Sequence, residues 1–348
     1  MQQINYTGWD IGGAHLKVAS VTDNGEVQKI TQYATPLWEG LDRLESVLTK
    51  AIGDLPSGSA KHALTMTAEL VDIFDDRAQG VLVLRDLYSR YIRDEYSIYS
   101  QKKGLIEEKV LTSDAHSIGS ANWHASGALV AQKIDSGIFI DIGSSTTDIL
   151  PFANKQLLHQ GNDDFSRLRV DELVYTGVVR TPLMALANHV LFSGDEYGVA
   201  AELFATTADV YRILGLLDEN TDMMKPADNG DKNVEASIRR LGRMIGADAD
   251  SLSSDKEWIE LANYFSNKQL DLLTRSLQRV ISRHPNLDKT IVAAGAGVFL
   301  IKQLAQHIGF KVIEFSDLVN CEQIFKDDCN LCAPAVALAE LNRIHHKT

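Results

Sequence analysis

The sequence predicts an α/β chain folded as two lobes, with a phosphate-binding cleft between them. Three observations carry this. The chain has 348 residues, more than the roughly 250–300 at which a single core stops growing, so two domains are expected. An apolar–Asp–Ile–Gly–small pattern occurs at Trp9-Asp10-Ile11-Gly12-Gly13 and again at Ile140-Asp141-Ile142-Gly143-Ser144, its aspartates 131 positions apart. This reads as an internal duplication, one hairpin per lobe. Finally, a late apolar strand feeds Gly295-Ala296-Gly297 and then a helical pattern.

The elements follow in order. Residues 6–21 alternate and turn at Gly12-Gly13, giving two strands joined by a glycine hairpin. Asp23-Asn24-Gly25 is a second turn and 26–34 a third strand. Apolar residues at helical spacing predict helices over 38–52 and 75–91, with a buried strand at 63–66 between them. The small-residue stretch 117–131 suits one helix packed closely on a neighbour. Strands are predicted at 138–141 and 147–152 around the turn Gly143 to Thr146. Helices are predicted at 181–191, 200–214, 234–244 and 255–282, with a polar loop at 218–233. A strand at 290–294, a helix at 298–306, a strand at 311–314 and a terminal helix at 333–344 complete the chain.

Composition narrows the function. Apolar residues make up 45% and charged residues 23%, so a large core can form. A net charge of −13 without a basic block argues against nucleic acid or an anionic membrane surface as partner. It suits Mg²⁺, which takes hard oxygen ligands. Cys321, Cys329 and Cys332 cluster near one end without a second Cys-x-x-Cys, and read as buried thiols rather than a disulfide framework or zinc site. No apolar run of roughly 18 residues and no opening signal segment is present, so a reducing cytoplasm is expected.

A glycine hairpin lets backbone N–H groups approach phosphate without an intervening Cβ, and an aspartate on the preceding strand can hold Mg²⁺ against it. Two such units facing each other would clamp a diphosphate. Gly12, Gly13, Gly143, Ser144, Ser145 and Thr146 are thus the expected diphosphate cradle, with Asp10 and Asp141 as metal ligands. Lys17 adds a point charge or is a solvated strand lysine. Arg180, read as ending an apolar strand before Thr181-Pro182, forks onto phosphate or pairs with Asp171 or Glu172. Gly295 and Gly297 form a nucleotide-like turn that lacks the third glycine of a dinucleotide fingerprint.

These elements in this order resemble the actin/sugar kinase/Hsp70 superfamily. Its phosphate motifs match Asp10 to Gly13 and Asp141 to Asp148, its adenosine motif Ala294 to Gly297, and its connecting helices residues 126–130 and 335–341. The resemblance spans the chain. It implies an actin-like ATPase, ribonuclease H-like fold with a cleft between lobes 1–133 plus 333–348 and 134–332.

Gly8 to Lys17, Thr65 to Leu70, Ser120 to Trp123, Thr176 to Pro182 and Ala208 to Gly215 resemble a narrower family. It is the hydantoinase/oxoprolinase-related family of tetrahydromethanopterin-linked one-carbon metabolism, which usually has glycine where this chain has Ala68. The resemblance implies a synthase of the methanofuran-core type. Such an enzyme joins an aminomethylfuran-methyl diphosphate to a γ-glutamyltyramine- or tyrosine-type phenol and releases pyrophosphate, toward methanofuran or methylofuran. Its implied partners are those two small molecules; Mg²⁺ is the implied cofactor, and ATP and a homo-oligomer are left open. Glu69 is then the first candidate for the base acting on the phenol, or a carboxylate complementing a helix start, with Asp72 and Arg77 nearby as an ion pair. Asn122 and Trp123 are the acceptor-side candidates, the indole stacking on a ring or filling a core. Two other classes stay open: an ATP-dependent kinase or hydantoinase/oxoprolinase-type activating enzyme, and a non-catalytic nucleotide-binding module.

Overall fold

A computed structural model describes residues 4–107, 112–251 and 254–347. The first lobe carries β1 (Ile4–Ile11), β2 (His15–Thr22), β3 (Val27–Ala34), β4 (Ser59–Met66), β5 (Tyr96–Ser100) and β6 (Gly104–Glu107). They form one sheet in the order β3-β2-β1-β4-β5-β6. The second lobe has β7 (Ser136–Ile142), β8 (Thr147–Ala153), β9 (Gln156–Leu157) and β10 (Leu173–Val174), then a separate ribbon of β11 (His189–Phe192) and β12 (Asp195–Gly198), then β13 (Thr290–Ala294) and β14 (Lys311–Glu314). Its sheet runs β10-β8-β7-β13-β14, with β9 paired to β8.

The duplication is visible in this topology. In each lobe the first hairpin is antiparallel and the next two strands add in parallel beside its first strand. A third strand joins the outer side of the hairpin antiparallel in both.

The helices are α1 (Leu41–Gly53), α2 (Arg77–Tyr91), α3 (Ala115–Ile118), α4 (Asn122–Lys133), α5 (Asp164–Arg169), α6 (Thr207–Ile213), α7 (Val234–Arg243), α8 (Asp255–Arg283), α9 (Val298–Ile308), α10 (Lys326–Leu331) and α11 (Ala333–His345). Leu44, Leu48, Leu84 and Leu87 of α1 and α2 bury one face of the first sheet with Trp9, Ile11, Leu64 and Met66. The other face, with Tyr6 and Ala19, meets α4 and α11 in a core shared with Phe139, Leu150 and Val292 of the second sheet. The alternation of a strand thus sends Trp9 and Ile11 one way, and Gly8 and Asp10 toward the inter-lobe side. Gly8 is needed there because a Cβ would lie 2.1 Å from the Ala335 carbonyl oxygen of α11. We propose that the lobes comprise 1–133 plus 333–348 and 134–332, with α11 seated on β1, β2 and β4.

Several expectations are corrected. Residues 181–191 are not a helix: only a 3₁₀ turn, Leu183–Ala185, precedes β11. Pro182 starts that turn, but Val190 and Phe192 are buried at the period of a strand and pair with β12. Helix 200–214 shrinks to Thr207–Ile213, begun by a capping box of Thr206 and Asp209. The small-residue stretch 117–131 is broken. Gly119 pairs with Met66 at the end of β4, and Ser120 takes a left-handed conformation, φ 50°, before α4 restarts. The short strands β5, β6, β9 and β12 carried no predicted counterpart, and the apolar strand expected to end at Arg180 is reduced to β10.

Candidate active site

The two hairpins close with the same bond. The Gly12 amide donates to the His15 carbonyl and the Gly143 amide to the Thr146 carbonyl, each at 2.9 Å. Behind each loop the carbonyls are tied down. In the first, Gly13 O and Ala14 O accept from the amides of Leu37 and Thr35 at 3.0 and 2.8 Å. In the second, Gly143 O accepts from Val178 at 3.1 Å, and Ser144 O from Val179 and Arg180 at 3.1 and 2.8 Å. Among the described residues the amides of Gly13, Ala14, Ser144 and Ser145 have no acceptor, and all four residues line one cavity. Free donors beside carbonyls that are engaged on the far side suit an anion.

Packing explains Gly12 and Gly13, whereas a Cβ at Gly143 would meet only the Thr146 carbonyl oxygen at 3.6 Å. Neither Gly12, Gly13 nor Gly143 has a positive φ. A Cβ at Gly12 would crowd His15 O at 2.9 Å, and one at Gly13 the Val71 side chain at 3.0 Å. Gly177 is tighter than either, since a Cβ there would fall 2.4–2.5 Å from the backbone of the second hairpin. That clasp is fixed from beneath by Gln269 of α8, which donates to Thr176 Oγ1 and Gly177 O at 2.8 and 2.9 Å and accepts from Tyr211.

The cavity, about 560 Å³, lies between the lobes. Asp10, Asp141, Asp148 and Lys17 line it, and the first turns of α4 and α11 reach its wall through Asn122 and Pro334. Two helix N-termini add positive potential there. Asp10 stands opposite Lys17 in the first hairpin and Asp141 opposite Asp148 in the second. Burial pushes the Asp10 carboxyl up to about 6, against the pull of Lys17 and Asn122. Burial likewise raises Asp141 to about 7, with Lys17 opposing and Asp148 and Asp10 reinforcing. Asp148 is held by Arg167 at 2.8 Å. Lys17 donates to Leu331 O at 2.8 Å.

A divalent cation fits this floor. Asp10 is 4% exposed and its Oδ1 has no hydrogen-bond partner. Among the described residues no three acidic, His or Cys groups converge as a ready-made metal cage. Mg²⁺ commonly takes one or two carboxylates and completes its shell with phosphate and water.

Glu69 does not line the cavity. It is 1% exposed and accepts from Ser120 Oγ at 2.6 Å, with Arg77 at 4.0 Å. Ser120 lines the cavity and separates Glu69 from it. Burial raises Glu69 to about 7, with the Ser120 bond opposing, and its Oε2 is unpartnered. The expected Asp72–Arg77 pair is replaced by Glu69–Arg77, and Asp72 lies on the cavity wall.

Trp123 also lines the cavity but is 3% exposed. The Arg167 guanidinium lies 3.9 Å over its ring, and His124 and His159 pack edge-on against it. Open aromatic surface lies instead at Trp38 and Tyr175, which line the same cavity. Arg180 follows irregular chain rather than a strand, and its guanidinium reaches 5.3 Å over Trp38. Its alternative partners are taken: Asp171 pairs with Arg279 at 3.0 Å, and Glu172 accepts from the Gln160 and Gly161 amides.

Gly295 and Gly297 are not among the lining residues. Gly295, φ +85°, packs on Asp141 and Ile142, and Gly297 on the Ile142 side chain. Cys329 and Cys332 are buried free thiols and Cys321 a partly exposed one. No helix among the described residues is long and apolar enough to cross a membrane.

A duplicated sheet with facing hairpins and two connecting helices defines the class: this is an actin-like ATPase fold. A nucleotide-free acetone carboxylase structure shares it, with a TM-score of 0.57 at 10% identity over 97% of this chain and 70% of that one. Within this class the chain belongs to the hydantoinase/oxoprolinase family, whose model matches residues 61–344. A relative from Methanocaldococcus jannaschii is 29% identical over 340 residues, 97% of this chain and 98% of its own. It is named (4-{4-[2-(gamma-L-glutamylamino)ethyl]phenoxymethyl}furan-2-yl)methanamine synthase. A protein of the same name from Methanococcus vannielii is 29% identical over 213 residues, 61% of this chain and 93% of its own.

Proposed function

We propose that the chain is an enzyme, a transferase that condenses an aminomethylfuran-methyl diphosphate with a γ-glutamyltyramine- or tyrosine-type phenol and releases pyrophosphate. The carrying observation is the pair of free-amide cradles facing each other over an acidic floor. The relatives' name, which describes the aryl ether of such a step, supports the chemistry.

In this reading the amides of Gly13, Ala14, Ser144 and Ser145 grip the diphosphate oxygens, with the Thr146 segment completing the loop and Lys17 adding charge. Asp10 and Asp141 would hold Mg²⁺, which when bound offsets charge on the departing pyrophosphate. The bond between the furfuryl CH₂ and the diphosphate oxygen breaks, and its electron pair leaves with pyrophosphate. A lone pair of the phenol oxygen forms the new C–O bond. The phenol proton passes to Ser120 Oγ as Ser120 gives its own proton to Glu69. Asn122 and Trp123 shape the wall beside the reacting carbon.

The test is mass spectrometry of a strain lacking this protein. Accumulation of both the furfuryl diphosphate and the free phenol, with loss of the aryl ether, supports the reading. Unchanged ether levels sink it.

A further inference from the structure

The mouth of the cleft differs chemically from its floor. Trp38 from the first lobe and Tyr175 from the second stay 42% and 62% exposed, and Leu70 beside them 46%, all three lining the cavity. Open aromatic surface in a concave site is suited to a ring rather than to phosphate. Arg180 caps the Trp38 ring and has no carboxylate partner among the described residues. Asp164 lines the same wall and forms no ion pair among them. The Tyr175 hydroxyl, raised mainly by burial, feels both Asp164, which raises it further, and Arg180, which lowers it. An unpaired cation and an unpaired anion therefore flank one aromatic side chain.

We infer that this mouth is the acceptor subsite, taking an aryl ring between Trp38 and Tyr175 and a zwitterionic α-amino acid head between Arg180 and Asp164. It rests on the condensation proposed above, since it names which end of the cleft the phenol uses. The ligand class is a γ-glutamyl amide of an arylethylamine: its ring offers a stacking face, its free α-carboxylate suits the Arg180 fork, and its α-ammonium suits Asp164. Arg180 is thereby a specificity residue for the acceptor rather than a diphosphate ligand. Tyramine, with the ring but no carboxylate, would keep the stacking and lose the fork.

The experiment is calorimetric binding of γ-glutamyltyramine and of tyramine to the full chain, with pyrophosphate present, alongside wild-type turnover. We expect tyramine to bind at least about tenfold more weakly than γ-glutamyltyramine. Arg180→Met should weaken γ-glutamyltyramine by about tenfold and scarcely affect tyramine, Arg180→Lys should restore part of the loss, and Trp38→Ala should weaken both. Both side chains are solvent-exposed, and unchanged thermal unfolding of the variants checks their fold. Unchanged acceptor affinity in Arg180→Met and Trp38→Ala overturns the inference. So does a loss confined to pyrophosphate binding, which would return Arg180 to the diphosphate. Binding that follows the expected pattern without wild-type turnover supports the subsite and sinks the condensation. Turnover with unaltered variants does the reverse.

Discussion

Ser120 donates its hydroxyl to Glu69 across 2.6 Å, from the cleft wall into the core. Gly119, pinned to the end of β4, and the left-handed Ser120 set this contact. A relay requires both groups, so Ser120→Ala and Glu69→Gln should each lower kcat by about 10²-fold, with KM nearly unchanged. The double variant should be no worse than either single one. Because Glu69 is raised to about 7 by burial, its base form grows as pH rises through that value. Glu69→Gln should therefore flatten the rise in kcat across neutral pH that the parent shows, leaving only the part due to Asp10 and Asp141, which also ionise there. Additive losses would assign the two residues separate roles.

The acidic floor should cost stability at neutral pH. Asp10 and Asp141 have folded pKa values above their ordinary range. Their contribution is thus fully present below about pH 4 and is lost as pH rises through about 6 to 7. His15 and His124, lowered to about 3 and about 4 chiefly by burial, act in the opposite sense, so the difference between variant and parent is the readout. Asp10→Asn should raise Tm by a few degrees at pH 8, shrinking toward zero near pH 4. A pH-independent difference in thermal unfolding would contradict the buried, unpaired carboxylate.

That same gain should come with lost function. Asp10→Asn and Asp141→Asn should each reduce Mg²⁺-dependent turnover by more than about 10²-fold, on the order of 3 kcal/mol. Asp10→Asn should cost more than Glu69→Gln, because leaving-group stabilisation is the larger barrier when the carbon can bear positive charge. Mg²⁺ titrations of turnover that superimpose on the parent in both aspartate variants would remove these residues from the metal site.

Gly177→Ala tests the clasp without touching any side chain of the cleft. The new Cβ would meet the backbone of residues 143–145 at 2.4–2.5 Å, so the second hairpin must move. We expect pyrophosphate affinity to fall about tenfold or more, while acceptor affinity changes little. Unaltered pyrophosphate affinity in calorimetry would show that this hairpin does not hold the anion.

Much of this site was legible in the chain. Asp10 and Asp141 could be found because the hairpin repeats, and a repeat of short glycine turns survives any change in packing around it. The same repeat could have exposed Asp148, which stands 131 positions after Lys17 and in its place on the second hairpin. Ser120 sat inside a recognised segment, yet its role depends on a helix break that small residues do not announce. Trp38 and Tyr175 gave no signal, because an aromatic side chain reads as core until the fold leaves it open. The misread 181–191 stretch shows the limit of the Thr-Pro start signal. Pro182 begins a turn there, and pairing with β12, 4 residues long, decides the rest.

The proposed condensation is tested by mixing the purified protein with Mg²⁺, the furfuryl diphosphate and γ-glutamyltyramine, and following both aryl ether by mass spectrometry and released pyrophosphate. The two products should appear together in equal amounts, only when both substrates are present and without ATP. Neither product forming, while ATP is cleaved to ADP with another acceptor, would contradict it and assign the cleft to a kinase-like or activating enzyme.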